Sequence, residues 1–272
     1  MHRHQEIHRS QRAALLAKIC VVIIACCVPV AIGQDKKVAA TGVEQKADAV
    51  LRQMSATLAS APAFTVDAEQ SIDQADESGQ KIQLSKRVHI VLSRPNKLAT
   101  TVKGDVENLA YFYDGKTVTI VNNNDRVHAV QDAPDTIDAM FDFLAERFGV
   151  TAPLSDLLFS DPYKAMTTHV RSGRYLGIHE VAGVKCHHLA YRQDGIDWQI
   201  WVEDGERAVP RKVVITFKEQ PGYPQFVAVL NNWDLKTTPA SGAFTAKIPE
   251  GSKRVDLQPL QTQSDTGAGS GK

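Results

Sequence analysis

The chain has 272 residues, 43% of them hydrophobic and 23% charged, with 31 basic residues balanced by 31 acidic ones. That suits one sizeable globular domain, or at most two. Balanced charge without a basic stripe excludes the electrostatic footprint of a nucleic-acid-binding protein.

The start of the chain reads as a leader. Arg3, Arg9, Arg12 and Lys18 make a basic opening, and residues 19–32 form an uncharged, mostly apolar run of 14. A bilayer span takes about 20 such residues, so this run matches the h-region of a secretory signal instead. Ala31-Ile32-Gly33 sets small residues at the first and third positions of an A-x-A-like site, so residues 1–33 are expected to be a signal peptide. A second route competes. Ile23-Ile24-Ala25-Cys26 resembles a lipobox, which would be cut before Cys26 and leave an acylated, membrane-anchored lipoprotein. The apolar run continuing to Ile32 favours the simple cut, and an uncleaved anchor is the third possibility. Residues 1–33 hold four Lys/Arg and one Glu, so their loss leaves 27 basic and 30 acidic residues, a net of −3. Cys20, Cys26 and Cys27 would leave with the leader. Cys186 would then be the only thiol, with no internal disulfide to form.

Residues 34–43 are a polar linker. A helix follows over residues 44–60, because Ala47, Val50, Leu51, Met54 and Leu58 fall on one stripe. Pro62 ends it. Strands are expected at residues 64–72, 81–92, 98–103, 109–113, 117–121 and 127–131, with polar or glycine-bearing turns between them. Asp114-Gly115 is a tight hairpin turn.

The two-residue period then breaks. Residues 133–136 look like a helix start. Ile137, Met140, Phe141, Leu144 and Phe148 make a second stripe, and Gly149 stops it. Residues 153–158 and 162–166 suggest two short helices. Strands resume at residues 174–181 and run into the clearest alternation in the chain. Ile196, Trp198, Ile200 and Val202 alternate with Asp197, Gln199, Trp201 and Glu203. Val213, Ile215 and Phe217 then alternate with Lys212, Val214, Thr216 and Lys218. Residues 226–236 form a long strand, and residues 244–248 with 255–257 are expected to close an edge. Residues 44–258 thus make one domain, and residues 259–272 a disordered Ser/Gly/Thr-rich tail.

Ten or eleven strands joined by hairpins imply an antiparallel sheet. So many strands do not stay flat, and curling solves the problem. The fold class is therefore α+β, mostly β: a curled antiparallel sheet forming an open, unclosed barrel with helices packed in its concave mouth.

Candidate chemistry centres on Cys186, His187 and His188. A strand sets Cys186 and His188 on one face and His187 on the other. A metal site at His187/His188 would need further ligands such as His179 and Glu180. A small buried thiol with two hydrogen-bonded strand histidines is the simpler account. His179-Glu180 opens like a zincin helix, but the position four beyond His179 is Gly183. No G-x-S-x-G occurs in the chain. Ser155, Asp156, Asp161 and His169 form a triad only on paper. No catalytic residue, metal or cofactor is assigned.

The runs YDGKTVTI, DPYKAM and SGRYLGIHEVAGVKCHHLAYRQDGIDWQIWVEDGERAVPRKVVIT, with the later NNWDL, resemble the bacterial family of domain of unknown function 2092. The resemblance spans roughly residues 47–257. That family is predicted to be periplasmic and is grouped with lipoprotein carriers and receptors of LolA/LolB type. The resemblance implies an unclosed barrel with helices as a lid over an apolar cavity. It also implies lipid or lipoprotein acyl chains as ligand, bound without catalysis. The expected lining is Met140, Phe141, Leu144 and Phe148 of the second helix, facing Trp198, Ile200, Val213, Ile215 and Phe217 of the sheet. The alternatives are an envelope structural or interaction module with a filled core and an envelope protein partner, or a metal-dependent enzyme at His187/His188.

The leader yields the first test. N-terminal sequencing of protein purified from its native envelope should begin near Gln34. A start at an acylated Cys26 would favour the lipoprotein route, and an intact Met1 would defeat both.

Overall fold

The computed structural model describes residues 42–75 and 78–260. The leader, most of the linker and the end of the Ser/Gly/Thr-rich tail lie outside the described residues.

Helix α1 runs Gln45–Ser60 and buries Ala47, Val50, Leu51, Met54 and Leu58. The stripe that predicts the helix is thus the stripe that anchors it. Ala61 is already extended, as its place before Pro62 requires. Six strands follow as a meander: β1 (Ala63–Ala75), β2 (Lys81–Ser93), β3 (Lys97–Gly104), β4 (Asn108–Tyr113), β5 (Thr117–Asn122) and β6 (Val127–Asp132). A helical insert comes next, with α2 at Ile137–Phe148, a 3-10 turn at Ser155–Leu157 and α3 at Pro162–Thr167. A second meander completes the sheet: β7 (Val170–Val181), β8 (Val184–Gln193), β9 (Ile196–Glu203), β10 (Pro210–Phe217) and β11 (Gln225–Asp234). The two-residue strand β12 (Lys253–Arg254) pairs parallel with β6.

The insert has well-formed ends. The Thr136 hydroxyl accepts from the Ala139 N–H, and Gly149 closes α2 at φ 66°, where a glycine costs least. Pro162 stands in the first turn of α3, and the Asp161 carboxylate accepts from the Lys164 N–H.

All twelve strands form one sheet, in the order β12-β6-β5-β4-β3-β2-β1-β11-β10-β9-β8-β7. Every antiparallel neighbour is consecutive in sequence except β1 and β11. That pairing welds the two meanders together, from Thr65 opposite Asp234 to Ile72 opposite Phe226. Among the described residues nothing pairs β7 with β12, so the sheet is unclosed. The fold is α+β, mostly β, and open, as the hairpin succession predicts.

The main core lies on the concave face, where α1 covers β7 and β9. Tyr191 and Trp198 stack with ring centroids 4.1 Å apart, and the Tyr191 hydroxyl donates to the Ala47 carbonyl of α1 at 3.1 Å. A small second cluster occupies the convex face. There Phe244 covers Ala99, Ala110, Phe112 and Val121.

Three expected elements differ. The edge strand expected at residues 255–257 falls earlier, as Lys253–Arg254, and residues 255–257 are not a strand. Residues 244–248 are not a strand: Ser241–Phe244 is a 3-10 turn, and its Phe packs as a plug on the convex face. The alternation there serves that cover, because an extended segment and a strand carry the same pattern. Residues 153–158 hold only the 3-10 turn, after Pro153.

The join between the meanders should dominate stability. Phe64 is fully buried and meets Trp233 at 5.4 Å across β1 and β11. Phe64→Ala is expected to cost about 3–5 kcal/mol in denaturant unfolding, the usual range for truncating a packed core aromatic. A loss under 1 kcal/mol would show that the join does not carry the fold.

Candidate ligand cavity

The chain between β6 and α2 is only four residues long, so α2 must fold back over the meander it has just left. The Ile137 N–H donates to the Pro95 carbonyl at 3.0 Å, tying the helix start to the β2–β3 corner. The Ser160 N–H donates to the Asp138 carboxylate at 2.9 Å, and the Arg94 guanidinium donates to the Leu158 carbonyl at 3.1 Å. These ties hold α2 and the segment after it as a roof above the concave face of β1–β5.

Under that roof lies a cavity of about 700 Å³. Its inner wall is apolar and comes from both meanders: Ile90, Leu98, Leu109 and Val118 from one, Ile215 and Phe226 from the other. Met140, Phe141 and Leu144 descend from α2, and Leu154 and Leu158 from the segment after it. Phe141 stacks on Phe159 with centroids 5.9 Å apart. The mouth is exposed, with Ser85, Gly104 and Asp105 on one side and residues 151–153 on the other.

Two tyrosines of β4 also line it. Tyr113 donates its hydroxyl to the Pro134 carbonyl, and burial pushes its phenol up to about 12. Tyr111 stands on the same face of β4, and burial, with Glu107 nearby, raises its phenol too. Both hydroxyls therefore stay protonated over the physiological range.

Of the nine residues expected to line a cavity, Met140, Phe141, Leu144, Ile215 and Phe217 do border it. Trp198, Ile200, Val213 and Phe148 are buried but belong to the packed core. Trp198 is held against Tyr191 under α1, and the Phe148 ring meets Phe143 edge-on at 5.6 Å. The reason is connectivity: α1 takes the β9 surface, while the short connection sends α2 to the first meander. The contribution of β2–β5 was missed. Its alternation marks strands but does not say which face a roof will cover.

The Cys186–His188 segment lies away from this cavity, on β8. Cys186 is fully buried, its Sγ lies 3.4 Å from the Val184 carbonyl, and burial pushes its thiol up to about 11. The His188 ring nitrogens meet His179 Nδ1 and Gln199 Oε1, both at 2.9 Å. Burial lowers its pKa, so His188 is held neutral. His187 lies between the Tyr175 hydroxyl and the Asp204 carboxylate, at 3.0 Å from each. Trp201 is half-buried. It stacks on His188 at 3.9 Å, with the Lys212 ammonium 4.8 Å from its ring centroid. Among the described residues no group of three or more His, Cys, Asp or Glu side chains is placed to hold a metal.

Residues 47–258 match the model of the family described as "Predicted periplasmic protein (DUF2092)". The chain belongs to this family. Its description names the periplasm as the compartment, and no helix among the described residues is long and apolar enough to cross a membrane. No curated protein matches the chain. Among solved structures, an uncharacterized conserved protein from Thermus thermophilus is 11% identical, with a TM-score of 0.46, covering 78% of this chain and 99% of that one. The Mycobacterium tuberculosis lipoprotein LppX is 9% identical, with a TM-score of 0.40 and coverages of 71% and 97%. A LolA superfamily protein from Nitrosomonas europaea is 9% identical, with a TM-score of 0.37 and coverages of 74% and 97%. Likenesses this distant bring no ligand or activity to this chain.

The state of Cys186 is directly testable. A buried thiol with a raised pKa should resist a thiol reagent in folded protein and react fully after denaturation. Cys186→Ser should cost about 1–3 kcal/mol, since a hydroxyl would sit where a small apolar group packs. Rapid labelling of the native protein would contradict the burial.

Proposed function

We propose that this family member binds an apolar group, a lipid or the acyl chain of a lipoprotein, in the cavity under α2, and does so without catalysis. One observation carries the reading: an interior of about 700 Å³ walled by apolar side chains and left unfilled. That volume falls within the ~300–1,000 Å³ of small-ligand sites, and such sites are mostly apolar with a few placed polar groups. An acyl chain entering it would leave water at about 0.8 kcal/mol per methylene buried. A filled-core interaction module needs no such space. Catalysis at His187/His188 finds little support, because the nitrogens of both rings already engage protein partners.

Titration with a fluorescent acyl probe should give saturable binding, displaced by unlabelled acyl chains. Organic extracts of protein purified from its native envelope should contain an acyl-bearing molecule by mass spectrometry. Phe141 lines the cavity and is only partly buried. Phe141→Ala should therefore weaken the probe severalfold yet cost less stability than the ~3–5 kcal/mol of a filled core. Absence of saturable binding in the wild type, with a full core-sized loss in Phe141→Ala, would defeat the reading.

A further inference from the structure

We propose, on the reading that this cavity holds an acyl group, that it selects acyl esters without negative charge and turns away the free carboxylate of a fatty acid. The charged residues bordering the cavity are Lys86, Asp105, Glu107 and Asp156, three carboxylates to one ammonium. The ammonium is spent: Lys86 Nζ pairs with Glu107 Oε2 at 2.9 Å. Asp105 is held in place by the Ser85 N–H, which donates to it at 2.7 Å. Asp156, on the 3-10 turn after α2, has neither a hydrogen bond nor an ion pair among the described residues. Solvent reaches it through the mouth, yet the surrounding wall raises its carboxyl above the ordinary range. A cation nearby would have drawn it down instead.

An acyl chain seated against the inner wall leaves its head among these groups. A second carboxylate there would meet unpaired like charge at a partly solvated rim, which disfavours it. An ester has no such penalty. It also finds a donor, because Tyr111 borders the cavity and its hydroxyl has no hydrogen-bond partner among the described residues. A carbonyl oxygen can accept from it, which a bare hydrocarbon cannot offer. Tyr113, one alternation further on, is already committed to Pro134.

The test is displacement of a bound neutral acyl probe at pH 8 by three ligands of one chain length: a monoacylglycerol, the free fatty acid and the alkane. The monoacylglycerol should compete at least about tenfold more tightly than the acid, the equivalent of about 1.4 kcal/mol. Asp156→Asn should narrow that ratio severalfold by tightening the acid alone. Tyr111→Phe should weaken the ester severalfold and leave the alkane unchanged. Both substitutions are nearly isosteric, and melting curves would verify that each variant is folded. Equal or tighter binding of the acid by the wild type would overturn the selectivity while leaving the cavity reading intact. So would a ratio unmoved in Asp156→Asn together with an ester affinity unmoved in Tyr111→Phe. If neither the probe nor any of the three ligands binds, the cavity reading itself falls.

Discussion

The antiparallel pairing of β1 with β11 is the constraint on which the rest depends. Each meander is built from local hairpins, but neither can bury its apolar face alone. Only β1 and β11 join them, across residues as far apart in sequence as Asp67 and Asn232, whose side chains bond at 2.8 Å. The register shifts between Thr65 and Asp67, and Asn232 sits nearby with φ 51°, a conformation that Asn tolerates better than most residues. A bulge bends and twists the sheet locally, which helps turn a twelve-stranded ribbon into a trough. The join is also sealed by side chains. Phe64 meets Trp233, whose indole N–H donates to the Pro210 carbonyl at 2.9 Å. Closing so long a loop is costly in entropy, so this pairing must be repaid by the core that it brings together.

The trough is filled unevenly, and that unevenness makes the site. At the β7–β9 end, α1 lays its stripe over Leu189, Tyr191, Trp198 and Ile200, all of them buried. At the β1–β5 end, α2 is held by its ends and by buried Ile137, Met140, Leu144 and Phe148, while Phe141 is only partly buried beside the cavity. An apolar wall without facing atoms forgoes dispersion contacts that a packed core would have. The first end supplies stability, and the second keeps room for a ligand at some expense of it. Such a division is expected where a binding region sits on a rigid scaffold.

The convex face solves a different problem. Residues of β8 that point away from the core would leave polar groups half-buried beside Trp201. His188 bridges His179 and Gln199 while stacking on that indole. Each ring nitrogen finds a partner, so the cluster seals the outer surface without needing charge. Further along the sheet, Phe244 and its neighbours cover Ala99, Ala110 and Phe112, so this segment dresses the outside of the sheet before β12 pairs with the β6 edge.

Much of this protein was legible in residue order alone. Both long helices show their buried stripes, and the meander strands show their two-residue period, because those signals come from local geometry. Thr136 and Gly149 mark the ends of α2 for the same reason. An open, antiparallel, mostly-β fold follows from a succession of hairpins. What local geometry cannot encode is which faces meet. Met140, Phe141 and Leu144 carry the same apolar pattern whether they look onto β9 or β3. A four-residue connection and the Ile137–Pro95 hydrogen bond decide between them. Ile215 and Phe217 border the cavity while Trp198, Ile200 and Val213 are packed shut, although all five alternate identically. Whether apolar side chains enclose space or fill it depends on the distance between elements far apart in sequence. Only the tertiary structure sets that distance.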